Sequence, residues 1–205
     1  DEQGTIVRKN LINHYNKLKN FIYIGDNYNI HGYGNTFITI NNNFRLWLID
    51  SGDYIKIFNK NMGYDYIHLN QVEWFKKNNK DNLNGLMFFH IPLREYEYAL
   101  KKGGMFIGDH QERISSSNID SEIFNAIKNT NVNSTFCGHD HTNDFCVKYY
   151  NKNLCYNGGS SFHAYGKTGW KRRTRIIEIS NNGNNVKTWK RLYDKNLTII
   201  DIQNI

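Results

Sequence analysis

Two short apolar runs in this chain each end on histidine, and that pairing restricts the fold more than any other feature. Leu86-Met87-Phe88-Phe89 is followed by His90 and then Ile91-Pro92, while Ser134-Thr135-Phe136-Cys137 is followed by Gly138-His139-Asp140-His141. Short apolar runs bounded by turn residues read as buried strands. Two strands that each deliver histidine at the C-terminal end match the way open α/β sheets build sites, because ligands lie in crevices outside the carboxyl ends of the strands. Neutral imidazole is the commonest side-chain ligand for transition metals. Carboxylates close by, here Asp140 and Asp144, orient such ligands. Gly138 lacks a side chain, so it is expected to let the backbone turn sharply and a ligand approach closely. His-x-His alone fits an ordinary polar turn; His90 is the residue that moves the reading towards metal.

Along the chain, Val7, Leu11, Tyr15 and Leu18 recur at helical spacing between Ile6 and Asn20. Phe21–Ile24 reads as a short strand, with turns at Gly25-Asp26-Asn27 and Gly32-Tyr33-Gly34. Thr36–Ile40 and Arg45–Asp50 form an expected strand pair across Asn41-Asn42-Asn43. A helix is expected from about Asn70, capped by Asn70 and Glu73, with Trp74 and Phe75 on its buried face. A second runs from about Ser121 to Lys128. Phe145–Tyr150, Leu154–Tyr156, Arg173–Ile179 and Val186–Leu192 alternate like strands. With 205 residues and no repeat or linker, the chain is read as a single α/β domain or part of one, strand-heavy at its C-terminal end.

The net charge of +7 permits an anionic partner, but the lysines are scattered and only Lys171-Arg172-Arg173 with Arg175 clusters. The basicity is read as solvated surface with a bias towards phosphate-bearing substrates, and not as a nucleic-acid interface. No apolar run reaches membrane-spanning length. Cys137, Cys146 and Cys155 make an odd count in a spacing that fits no zinc module. Cys146 and Cys155 flank an expected hairpin, where they either meet or remain buried thiols.

The motifs taken together resemble the calcineurin-like metallophosphoesterases. Phe89-His90-Ile91-Pro92 followed by Gly138-His139-Asp140-His141 is similar to the second half of that domain. The likeness is closer to the purple-acid-phosphatase-related Dcr2-like phosphatases. It is carried by Leu48–Tyr54, Gln71–Phe75, Gln111–Ser115, His141–Cys146 and Gly169–Arg173, in order. The resemblance implies a layered αββα sandwich of which residues 1–205 supply the C-terminal half. It also implies two metal ions (iron, manganese or zinc), with His90 and His139 on one and His141 on the other. Asp140, Asn143 and Asp144 would surround these ligands. The implied activity is hydrolysis of phosphate monoesters through a metal-bridging hydroxide.

The family's Asp-x-His, Gly-Asp-x-x-Asp and Gly-Asn-His-Asp/Glu motifs are not found in their places. They are expected upstream of Asp1, which would itself orient a histidine missing from this sequence. The N-terminal half of the same domain is then the required partner. Gly25-Asp26-Asn27-Tyr28-Asn29 imitates one motif, but turn chemistry explains it better, as it explains Asp50 and Asp53. His14, His31 and His68 are assigned solvated or structural roles, and His110 and His163 are weaker candidates for lining the site. The competing reading is a non-catalytic half-domain that binds a partner or an anion.

Overall fold

The computed structural model describes residues 8–22, 29–58 and 60–205. In chain order the first elements are α1 (Arg8–Tyr15), β1 (Thr36–Ile40), β2 (Phe44–Leu48), β3 (Tyr54–Ile57), β4 (Lys60–Tyr64) and α2 (Leu69–Asn78). Then come β5 (Asn84–Phe88), α3 (Arg94–Lys101), β6 (Phe106–Ile107), α4 (Ile123–Ile127), β7 (Val132–Cys137) and β8 (Cys146–Tyr149). The chain closes with β9 (Lys152–Tyr156), β10 (Arg173–Ser180), β11 (Asn185–Leu192) and β12 (Ile199–Asn204).

Seven strands form one mixed sheet in the order β1-β2-β5-β7-β9-β8-β6. Its centre is parallel: β2 on β5, β5 on β7, β7 on β9. Strands covered on both faces read as continuous apolar runs, which is why Leu86–Phe89 shows no polar alternation. The period of two still sorts the side chains. Met87, Phe89 and Cys137 join a core with Trp47, Val72, Phe75, Tyr96, Ile123 and Ile127, beneath α2, α3 and α4. Leu86 and Phe136 point the other way and pack with Phe44, Cys155, Val186, Ile177 and Ile179. That second cluster joins the sheet to an antiparallel sheet of β10, β11 and β12. The described residues thus make an α/β/β stack, a metallophosphoesterase-type architecture.

Several elements differ from the sequence reading. α1 is shorter than expected and buries none of its side chains, so helical spacing there does not mark a core face. The expected strand Phe21–Ile24 lies partly outside the described residues, and Phe21 and Ile22 are not in a strand. α2 is capped at His68, whose backbone N–H donates to Gln71 Oε1 at 2.8 Å, two residues before the expected cap. α3, β12 and the hairpin of β3 and β4 were not foreseen, and each is short or mostly polar. Cys146 and Cys155 face each other across β8 and β9 and are disulfide-bonded, leaving Cys137 as a buried free thiol. Among the described residues no helix is long and apolar enough to cross a membrane.

Near the start of α3, burial pushes the Glu95 carboxyl up from 4.5 to about 7, and the negative charge of Asp120 adds to the effect. A raised carboxyl favours the fold while protonated and opposes it once ionised. Its contribution is therefore complete below pH 4.5 and lost as pH rises through about 7. Glu95→Gln is expected to melt above the parent at pH 8 and close to it at pH 4.5 in calorimetry. An equal offset at both pH values would contradict this.

Candidate metal centre

The site begins with strand register. Phe88 of β5 pairs with Phe136 of β7, so the two parallel strands end level. The ladder continues past them: Phe89 N donates to Phe136 O and Gly138 N to His90 O, both at 3.1 Å. His90 and His139 are thereby carried to the same point. His139 Nδ1 lies 3.2 Å from His90 Nε2, with the rings nearly perpendicular at 81°. Two nitrogens each ~2.0–2.1 Å from one tetrahedral ion stand ~3.3 Å apart, so the pair has the spacing of two ligands on a shared metal.

Three contacts set that pose. Ser51, buried in the loop after β2, accepts hydrogen bonds on its hydroxyl from His90 N (3.1 Å) and Ile91 N (2.8 Å). The Tyr64 ring meets the His139 ring edge-on at 4.4 Å. His139 itself adopts a positive φ of 71°, a conformation that costs a non-glycine residue energy and clusters at functional sites. The sharp turn expected at Gly138 is thus made one residue later. A Cβ at Gly138 would sit 3.4 Å from His90 Nδ1, an ordinary contact distance, so the approach of the two loops does not itself demand glycine there.

His141 is oriented separately. Its ring stacks on Tyr165 at 4.1 Å, its Nδ1 lies 3.1 Å from Tyr165 O, and its backbone N–H donates to the Tyr165 hydroxyl at 3.0 Å. Tyr165 in turn donates to Glu112 Oε2 at 2.9 Å. Burial pushes the Tyr165 phenol up to about 12, with the Glu112 carboxylate adding to the shift, so it stays a neutral donor beside His141. Nothing near residue 141 in sequence pointed to Tyr165, because the contact is made only by folding.

Asp140, Asn143 and Asp144 brace the loop from behind. Asp140 Oδ2 accepts from Ser115 N (3.0 Å) and the Tyr156 hydroxyl (2.6 Å). Asn143 Oδ1 accepts from Gln111 N (2.9 Å) and Glu112 N (3.1 Å), and its amide donates to Glu112 O (3.0 Å). Asp144, with no exposed surface, accepts from Asp109 N (2.6 Å) and pairs with Lys190 (2.8 Å) and Arg173 (2.7 Å). Its carbonyl takes a further bond from Arg175 Nη2 at 2.6 Å.

Asp1 lies outside the described residues, as does most of Gly25–Asn29. Asp50 acts in its loop as expected, accepting from Arg8 (2.8 Å), Tyr33 N (2.7 Å) and Gly52 N (3.0 Å). His110 packs on Phe145 with ring centroids 5.3 Å apart. Among the described residues, the group of histidine and acidic side chains whose ligand atoms gather within 4.8 Å is His31, Asp65 and His68, and the sequence reading missed it.

Comparison with known proteins shows what the chain is similar to in sequence and in fold. The chain is 36% identical to a probable inactive purple acid phosphatase 29 of Arabidopsis thaliana, over 99% of its own length and 61% of the relative's. In sequence this chain is a relative of the purple acid phosphatases. It is also 34% identical to phosphatase Dcr2 of Saccharomyces cerevisiae, over 78% of this chain and 30% of that one. A dimetal phosphatase from Danio rerio shares the fold with a TM-score of 0.55 at 11% identity, covering 84% of this chain and 60% of that one. No family model matches the chain. The chain spans about half to three fifths of the length of the plant relatives it matches.

Removing the Asp144 charge takes from the buried Lys190 and Arg173 the buried carboxylate they share, leaving them only the more exposed Asp201 and Asp109. Asp144→Ala is expected to cost ~3–5 kcal/mol in denaturant unfolding. A loss below ~1 kcal/mol would show that the surrounding groups relax without it.

Proposed function

We propose that this chain is the C-terminal part of a metal-dependent phosphoesterase domain that hydrolyses phosphate monoesters. The supporting observation is the 3.2 Å approach of His139 Nδ1 to His90 Nε2 at the level ends of two parallel strands. On this reading His90 and His139 hold one metal ion and His141 holds a second, the other ligands lying upstream of Asp1. A bound metal pair polarises phosphoryl oxygens and acidifies water at neutral pH.

The chain's own residues then have distinct tasks. His90 and His139 present neutral ring nitrogens, and the hydroxyl of Ser51 fixes the backbone from which His90 projects. Tyr64 packs against the flank of His139. Tyr165 stays protonated and donates, while its ring holds His141 in one orientation. Arg172 donates to the carbonyls of Tyr165 (2.8 Å) and Ala164 (2.5 Å), so its charge locks the tyrosine loop. Iron, manganese and zinc all suit this donor set.

A second reading is a non-catalytic, partner- or anion-binding module. It draws on the names of the plant relatives, which are called probable inactive purple acid phosphatases.

The test is metal-dependent hydrolysis of p-nitrophenyl phosphate by the natural full-length protein and its His139→Ala variant. Losing groups that merely orient a ligand costs 10–100-fold, so losing a ligand is expected to cost at least ~100-fold. Unchanged activity in the variant would overturn the assignment. A metal-loaded full-length protein without turnover would favour the binding module.

A further inference from the structure

His31, Asp65 and His68 meet although they come from two separate pieces of chain: the loop before β1, and the short connection from β4 to the N-cap of α2. Asp65 Oδ1 lies 2.8 Å from His68 Nε2 and Oδ2 lies 3.0 Å from His31 Nε2. The two imidazoles stack almost parallel, with centroids 3.6 Å apart and 12° between planes. Both rings therefore aim their outer nitrogens at one carboxylate. Asp65 is 7% exposed, whereas the side chains of His31 and His68 are 36% and 28% exposed, so an ion can enter from the histidine side.

The surrounding structure holds this arrangement by contacts of its own. His31 N donates to Asn70 Oδ1 at 3.2 Å, and Asn70 Nδ2 donates to Asn29 O at 3.1 Å, fastening the histidine loop to α2. Asp65 N donates to Asp53 O at 3.0 Å, and Tyr66 N donates to Asp65 Oδ1 at 2.9 Å. Gly52 makes the room: a Cβ there would collide with the Asp65 carboxylate. Tyr66 stacks on His68 from the far side at 4.1 Å.

We propose that His31, Asp65 and His68 form a transition-metal site of their own, of the zinc class, distinct from the His90–His139 centre. Two imidazole nitrogens and one carboxylate oxygen are a donor set of borderline character that suits zinc, copper or iron, and here it leaves coordination positions open to solvent. A cation there would replace the two N–H protons now shared with Asp65. The bound ion would clamp the loop of residues 29–35 onto the start of α2.

The experiment uses the natural full-length protein, stripped with chelator and reloaded with zinc, with metal counted by mass spectrometry and Tm followed. The His31→Gln/His68→Gln double variant is expected to lose one equivalent of zinc and the zinc-dependent rise in Tm. It is expected to match the parent in Tm in chelator and to keep the remaining metal. His139→Ala is the converse control and is expected to keep the equivalent that the double variant loses. Should the double variant fold poorly, His31→Gln alone, on the exposed loop, is expected to show the same loss of zinc-dependent stabilisation. Unchanged stoichiometry and an unchanged Tm response in a folded variant would overturn the proposal, whatever the activity of the phosphoesterase centre.

Discussion

The level ending of β5 and β7 is the constraint on which the rest of the site depends. Parallel strands place their C-terminal ends on the same edge, and the pairing of Phe88 with Phe136 decides which residues share it. A slip of one residue would move every side chain of a strand to the other face. His90 and His139 would then part, and Met87 would exchange cores with Leu86. Register is secured from both sides, because each strand buries side chains under the helices and against the second sheet. The geometry of two ring nitrogens therefore rests on apolar packing some residues away.

Charge finishes what packing starts. The loop from Gly138 to Asp144 has few apolar side chains to hold it, and its tail is fixed by Asp144 instead. One buried carboxylate gathers Lys190 from β11, Arg173 from β10 and the backbone of Asp109, tying the second sheet to the ligand loop. Burying such charges is costly unless all are paired, and here Lys190 also meets Asp201 of β12 and Arg173 also meets Asp109. Trp170 adds its indole N–H to Asp109 at 2.6 Å and lies beneath the Arg173 guanidinium. The segment Gly169–Arg173, which resembled the family in sequence, thus has a physical role in carrying the far wall of the loop.

Legibility in the sequence followed the range of the interactions. Leu86–Phe89 and Ser134–Cys137 announced themselves because burial on two faces leaves a local apolar signature. The histidines that follow them were readable for the same reason. Tyr165 and Ser51 were not, since each reaches its histidine across a gap in sequence that no local pattern encodes. His31, Asp65 and His68 show the limit most clearly. Each alone is an ordinary loop residue, and only the placing of α2 against the loop before β1 brings them together. α3 was missed although Tyr96 and Ala99 lie three apart and bury fully, with Glu95 and Glu97 in its first turn. Its short run between proline and paired glycines hid it.

The most direct test of the centre is anomalous X-ray scattering from crystals of the natural full-length protein soaked with manganese or zinc. The account predicts a metal peak ~2.0–2.2 Å from both His139 Nδ1 and His90 Nε2. Ordered rings with no peak between them, in protein shown to be metal-loaded, would contradict it.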